Sequence, residues 1–135
     1  MGRAQVILVD THVVVWLAFD QDRISQKARV AIDDARKNAA GLAISEITLL
    51  ELATLTTKGR IHLDISLESF LQEVESRFVV LPMSGKVCAR AVDLPETYPR
   101  DPADRIIGAT ALVSGLLLLT ADRQIRRSKA VRTVW

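Results

Sequence analysis

Short apolar runs alternate along this chain with longer segments whose apolar residues recur at helical spacing. The run Val6-Ile7-Leu8-Val9 is rich in β-branched residues and predicts a fully buried strand of a parallel sheet at 6–10. Similar runs predict strands at 42–44, 78–81, 116–119 and 131–134. Helical spacing and capping residues predict helices at 12–19, 25–38, 46–57, 67–75, 84–92, 102–114 and 122–128. Because strands and helices alternate, the pattern predicts a three-layer α/β/α domain with a mostly parallel central sheet.

The composition is that of a globular protein, with 49% hydrophobic and 25% charged residues. At 135 residues the chain is expected to form one domain, 1–135. Cys88 is the one cysteine of the sequence, which excludes an intrachain disulfide and fits a reducing compartment. No signal peptide is recognisable, and the longest apolar stretch, 106–119, is shorter than the roughly 18 residues that suggest a membrane span. We therefore expect a cytoplasmic protein without a membrane segment.

Two acidic residues follow predicted strands directly. Asp10 closes the first strand, and Asp122 comes just after the strand at 116–119. An open α/β sheet binds its ligands outside the carboxyl ends of its strands, so two such carboxylates are expected to face one another across a crevice. Each could instead simply cap the helix that follows it, which is a routine role for aspartate.

A third acid, Glu51, lies within the predicted helix at 46–57. This helix is apolar nearly all round, which is typical of a buried helix. A carboxylate on it must be paired, neutral or bound to a metal. No Lys or Arg occurs on the helix before Lys58, so a local partner is absent and a distant Arg is the alternative to a metal.

Asp101 and Asp104 flank Pro102 at the start of the helix at 102–114. The structural interpretation makes Asp101 the helix N-cap, with Asp104 favoured by the helix dipole. The functional interpretation places Asp104 in the crevice of the strand-end acids, because small residues such as Gly108 let this helix approach the sheet closely.

Four carboxylates without a Cys or His cluster make an all-oxygen site, which suits Mg²⁺ or Mn²⁺ better than zinc. Such ions activate water and neutralise the charge that develops in phosphoryl displacement. The net charge of +2 does not by itself indicate a nucleic-acid binder. Five basic residues crowd the C-terminal end and form either a phosphate-binding patch or a solvated face: Arg123, Arg126, Arg127, Lys129 and Arg132.

Four segments resemble, in order and spacing, the motifs of PIN domains. They are Val-Ile-Leu-Val-Asp-Thr-His at 6–12, Ser-Glu-Ile-Thr-Leu-Leu-Glu-Leu at 45–52, Arg-Asp-Pro-Ala-Asp-Arg-Ile-Ile at 100–107 and Leu-Thr-Ala-Asp-Arg at 119–123. Within that family the chain is similar to the VapC-type toxin ribonucleases of type II toxin–antitoxin pairs. The resemblance extends over essentially the whole length.

The resemblance implies a Mg²⁺- or Mn²⁺-dependent endoribonuclease that acts on RNA, forms a homodimer and is blocked by a cognate VapB-type antitoxin. It also implies roles for individual residues. The acidic quartet is Asp10, Glu51, Asp104 and Asp122, with Asp10 and Asp104 as the principal metal ligands and the other two binding directly or through water. Supporting positions are Thr11, Asp101 and Thr120. From the charge distribution, and not from the resemblance, the candidate RNA contacts are Arg123, Arg126 and Arg127. The chain departs from related sequences at Leu55, where a Lys is common.

Two other functions fit parts of the pattern. An aspartyl-phosphate phosphatase also begins with a strand-end Asp, but it requires a second acid two residues later, where this chain has His12. A non-catalytic PIN-like module that binds a partner protein would be favoured by a missing acid, and all four are present.

Overall fold

The computed structural model describes residues 6–38 and 40–135, which form five strands and seven α-helices. In chain order they are β1 (Ile7–Val9), α1 (Thr11–Phe19), α2 (Gln26–Lys37), β2 (Leu42–Ser45), α3 (Glu46–Thr57), α4 (Leu67–Arg77), β3 (Val79–Leu81), α5 (Gly85–Val92), α6 (Pro102–Ser114), β4 (Leu117–Leu119), α7 (Arg123–Ser128) and β5 (Thr133–Val134). A short 3₁₀ helix, Gln21–Arg23, follows α1 and lies outside the predicted elements. None of the described helices has the length and apolar character needed to cross a membrane.

The five strands form one parallel sheet in the order β3-β2-β1-β4-β5. Leu8 of β1 pairs with Ala43 on one side and with Leu118 on the other. The chain builds outward from β1 through β2 to β3 and then returns to the opposite side of β1. The strand order therefore reverses between β1 and β4, and the crevice at such a switch point is where open α/β sheets bind ligands.

Alternate residues of β1 face two separate cores, as the period of a strand requires. Ile7 and Val9 lie in the core that includes side chains of α1, α2, α3 and α4, whereas Leu8 packs with Ile107 of α6 and Ile125 of α7. Helices thus cover both faces of the sheet, which explains why its short strands are almost continuously apolar. The predicted three-layer α/β/α class is confirmed.

Gly108, in the middle of α6, was expected from the sequence to let the helix approach the sheet closely, but it makes room for a side chain instead. Gly108 faces Tyr98, a fully buried side chain of the loop before α6, and not the sheet. A Cβ on Gly108 would overlap the Tyr98 hydroxyl and ring. The glycine is required because the Tyr98 side chain occupies the space that a Cβ would need.

Gly108→Ala is therefore expected to lower the free energy of unfolding by about 3 kcal/mol, the upper end of the usual cost of overpacking. Gly85→Ala is the matched control, because a Cβ there meets no atom within 4 Å and its backbone conformation is ordinary. Urea titration of both variants checks the prediction. Equal stability of the two proteins would show that the Tyr98 contact does not constrain this position.

Candidate active site

The carboxyl ends of β1 and β4 bring predicted acids to the switch point of the sheet. Asp10 follows β1 and Asp122 follows β4, while Asp104 lies in the first turn of α6. Glu51 approaches from α3 and is linked to the same site through Thr11, the residue after Asp10. The structure thus brings all four members of the predicted quartet to one region.

Asp10 is both the N-cap of α1 and the most buried of these acids, with 6% of its surface exposed. One carboxylate oxygen accepts the Thr11 N–H at 2.9 Å, and the other accepts the Thr120 hydroxyl at 2.7 Å. Burial raises the pKa of Asp10, the two hydrogen bonds partly offset this rise, and the charge of Asp122 adds to it. Capping and a place in the crevice are therefore compatible roles.

Thr120 connects the ends of the two central strands. Its hydroxyl donates to Asp10 and accepts the backbone N–H of Asp122 at 3.1 Å. The exposed Asp122 carboxylate accepts the N–H of Ile125 at 2.9 Å and so caps α7. Asp122, like Asp10, combines a capping bond with a position beside the crevice.

Glu51 is partnered by a hydroxyl rather than by an arginine. The Thr11 hydroxyl donates to Glu51 Oε1 at 2.5 Å, and the Thr48 hydroxyl lies 3.0 Å from that of Thr11. Burial raises the pKa of Glu51, and the charges of Asp10 and Asp101 raise it further against the lowering effect of the Thr11 bond. The expectation that α3 is buried all round is wrong, because Leu50 beside Glu51 is 63% exposed and Glu51 itself is half-buried.

Asp101 and Asp104 divide the capping and crevice roles between them. The exposed Asp101 is the N-cap of α6, and its carboxylate accepts the Asp104 N–H at 3.0 Å. Burial raises the pKa of Asp104 to about 7, with further increases from the charges of Asp10, Asp101, Glu51 and Asp122. The charges of four neighbouring acids thus raise the pKa of a single carboxyl group.

The negative charge of this site has no cationic partner in the described part of the chain. Across residues 6–38 and 40–135 the ion pairs are Arg23–Asp20 at 3.9 Å and Arg77–Glu73 at 3.4 Å, both on the surface. Arg105 follows Asp104 directly, but its guanidinium donates to the carbonyls of the segment before α6. Within residues 6–38 and 40–135, then, no lysine or arginine forms an ion pair with these acids.

This crowding predicts an unusual pH dependence without divalent cations. A folded-state pKa above the unfolded value means that the native protein binds more protons than the unfolded chain, so stability falls as pH rises through that window. For Asp104 the window runs from about 4 to about 7. We expect the melting temperature in EDTA to fall across it, and Asp104→Asn to flatten the profile. A melting temperature that rises over this range would contradict the expectation.

The donor set fits a hard divalent cation in its chemistry. Within the described residues, no three carboxylate, imidazole or thiol side chains are grouped closely enough to hold a metal ion as they stand. Mg²⁺ nevertheless keeps several waters and takes one or two carboxylates directly. A site of this chemistry therefore does not require three protein ligands in direct contact with the ion.

Sequence reasoning missed three residues that shape this site. Thr48 lies one helical turn before Glu51, a spacing that indicates a shared face. The Tyr98 hydroxyl donates to the main-chain carbonyl of Asp104 at 2.9 Å, and Arg105 fixes the segment that carries Tyr98. Burial raises the pKa of Tyr98, which therefore remains a neutral donor. No local pattern indicates the contacts of Tyr98 or Arg105.

The predicted basic residues lie immediately beyond the acids. Asp122 caps α7, and the three candidate RNA contacts of this helix, Arg123, Arg126 and Arg127, are all exposed. They form no ion pair within residues 6–38 and 40–135. Their position beside the crevice suits contact with phosphates, and a solvated face remains equally compatible with the geometry.

A parallel α/β domain with carboxylates gathered at its switch point defines the general class of protein. The chain belongs to the PIN domain family, whose model matches residues 7–130. It is 39% identical over 131 residues to Ribonuclease VapC22 of Mycobacterium tuberculosis (strain ATCC 25618 / H37Rv), covering 96% of this chain and 98% of that protein.

Solved structures share the same fold. A toxin–antitoxin complex from Klebsiella pneumoniae matches with a TM-score of 0.64 and 25% identity, over 93% of this chain and 94% of that one. VapBC2 from Rickettsia felis, bound to a DNA fragment from their promoter, matches with a TM-score of 0.71 and 18% identity, over 96% and 97%. The second likeness, at this low identity, concerns the fold alone.

Proposed function

We propose that this protein is a Mg²⁺-dependent endoribonuclease and the toxin of a type II toxin–antitoxin pair. The observation that carries the proposal is the set of four acids at the switch point, which have no cationic partner among the described residues. The 39% identity to a VapC ribonuclease supports RNA as the substrate. Cellular RNA as substrate also favours a cytoplasmic location.

Asp10 and Asp104 would hold the cation, Mg²⁺ or Mn²⁺, with Glu51 and Asp122 contributing directly or through water. When bound, such an ion would lower the pKa of water to near neutrality and stabilise the negative charge that develops on the phosphoryl oxygens. The raised pKa of Asp104 supports this assignment, because crowded carboxylates favour either protonation or a cation.

The remaining residues orient these carboxylates. The Thr11 N–H and the Thr120 hydroxyl each hold one oxygen of Asp10, and the Thr11 hydroxyl holds one oxygen of Glu51. Asp101 fixes the first turn of α6 and thereby the position of Asp104. Arg123, Arg126 and Arg127 would bind substrate phosphates and offset the repulsion between RNA and the acids.

A VapB-type antitoxin is the proposed protein partner. The Klebsiella and Rickettsia relatives are complexes of a toxin with its antitoxin or of VapB with VapC. On this chain a groove of about 810 Å³ lies between α1 and α4, with the exposed side chains of Phe19 and Ile65 at its edge. A groove lined by both apolar and charged side chains suits an amphipathic helical peptide. Homodimer formation stays a prediction.

Incubation of the purified chain with structured and unstructured RNAs tests the proposed activity. We expect internal cleavage with Mg²⁺ or Mn²⁺ and none in EDTA, with activity restored when the cation is added back. Cleavage that continues unchanged in EDTA, or no cleavage of total RNA under any condition, would contradict the proposal.

A further inference from the structure

Aromatic side chains lie beside the acids, and none of the roles described above includes them. His12 and Trp16 occupy one face of α1, and Trp135 follows β5. Together with Arg23 they form a cluster that we call the aromatic platform. We propose that the aromatic platform binds the unstacked bases of single-stranded RNA next to the cleavage site, an inference that rests on the proposed function.

In the aromatic platform, the ring of Trp16 is the neighbour of both other rings. The centroids of His12 and Trp16 are 6.4 Å apart with their planes at 51°, and those of Trp16 and Trp135 are 5.6 Å apart at 54°. The guanidinium carbon of Arg23 lies 5.2 Å from the centroid of Trp16. Aromatic rings combined with an arginine are the side chains on which single-stranded nucleic acids stack.

The aromatic platform lies at the same edge of the sheet as the acids. His12 is two residues after Asp10, in the first turn of the helix that Asp10 caps. The carbonyl of Val134 accepts the N–H of Thr120 at 3.3 Å, so the residue after Val134 leaves the sheet beside the end of β4. That residue is Trp135. His12 and Trp135 therefore flank the carboxyl ends of β1 and β4, after which the acids lie.

The aromatic platform is open to a ligand on its outer side. His12 is exposed, and the Arg23 side chain is 63% exposed. Trp16 and Trp135 are half-buried, with part of each ring against the core formed by α1 and its neighbours. Because these rings already pack against the core on one side, little conformational entropy is lost when a base stacks on their other side.

RNA is favoured over a peptide as the ligand because the cluster combines π faces with a positive charge near a phosphodiester-cleaving site. Stacking of one base on an aromatic side chain contributes about 1–3 kcal/mol and is largely independent of sequence. Arg23 adds attraction for the backbone phosphates. Duplex RNA offers no unstacked bases to such a surface.

Fluorescence gives a direct test, since Trp16 and Trp135 are the only tryptophans of the chain and both belong to the aromatic platform. The inactive variant Asp10→Asn is titrated in Mg²⁺ with single-stranded RNA, with the same RNA as a duplex, and with an abasic ribose-phosphate oligomer of equal length. We expect saturable quenching by the single strand alone. No quenching, or equal quenching by the abasic oligomer, would overturn the inference.

Surface variants extend the test without disturbing the core. His12→Ala should weaken single-strand affinity by about fivefold or more, the equivalent of the lower stacking value. Arg23→Gln should weaken it more than the control Arg77→Gln, which removes an arginine of comparable exposure from a similar surface pair. Equal affinity of Arg23→Gln and Arg77→Gln, together with full affinity of His12→Ala, would assign the surface to another partner, such as the antitoxin.

The outcome separates this inference from the proposed function. If the parent protein cleaves RNA but the single strand fails to quench, only the stacking surface is wrong. If the parent cleaves no RNA under any condition, the proposed function fails regardless of the fluorescence result.

Discussion

Asp10→Asn is expected to reduce Mg²⁺-dependent RNA cleavage by about a hundredfold or more, since even residues that merely support metal ligands cost up to that factor when replaced. Asparagine keeps the shape of the side chain and is an equally good N-cap for α1. The substitution removes a charge from a side chain that is 6% exposed, and we expect the fold to be retained. Initial cleavage rates of the parent and the variant, measured on one RNA, test this expectation.

Thermal unfolding distinguishes lost chemistry from lost structure in this variant. The metal-free melting temperature of Asp10→Asn should equal or exceed that of the parent, because burial already disfavours the charged form of Asp10. Asp34→Asn, which changes an exposed acid of α2, is the matched control and should cleave RNA at the parental rate. An Asp10→Asn protein that cuts RNA as fast as the parent would refute the assignment of Asp10.

Glu51→Gln is expected to lower cleavage by about tenfold to a hundredfold while the protein stays folded. The glutamine carbonyl can still accept the Thr11 hydroxyl, so the link between α1 and α3 is preserved. What is lost is the negative charge, which only a cation-binding role requires. Steady-state cleavage as a function of Mg²⁺ concentration is the measurement, and the variant should need more Mg²⁺ for half-maximal rate.

Thr11→Ser is the control for the Glu51 experiment, because it retains the hydroxyl that contacts Glu51. It should show the parental Mg²⁺ dependence. A Glu51→Gln variant that also retains the parental dependence would mean that Glu51 only joins α3 to α1. Its place in the sequence motif would then reflect packing.

The fold was predictable because its elements carry strong local signals. Local patterns predict the individual elements, as in the β-branched run before Asp10 and the helical spacing of 25–38. The alternation of strands and helices along the chain then predicts a parallel sheet between two layers of helices. The positions of Asp10 and Asp122 follow from the same reasoning, because carboxyl ends of parallel strands share an edge. Exact bounds were less predictable, since Asp10 terminates β1 as a helix cap.

The parts of the site that escaped prediction depend on tertiary contacts. The Thr11 hydroxyl that holds Glu51 is forty residues distant in sequence, and the bond from Tyr98 to Asp104 depends on a loop packing against Gly108. An apolar helix also gives no information about which face a monomer leaves uncovered, which is why the exposure of Leu50 was not foreseen. The sequence shows which positions of a helix are apolar. Only the packing of the folded chain shows which of those positions are covered by other elements.

The proposed function requires that the acids at the switch point hold a divalent cation. Electron paramagnetic resonance of free Mn²⁺, titrated with the parent protein and with the double variant Asp10→Asn/Asp104→Asn, tests this binding without any RNA substrate. We expect the parent protein to deplete the free Mn²⁺ signal and the double variant, although folded, to leave it unchanged. Equal depletion by the two proteins would place the bound cation elsewhere and refute the assignment of Asp10 and Asp104.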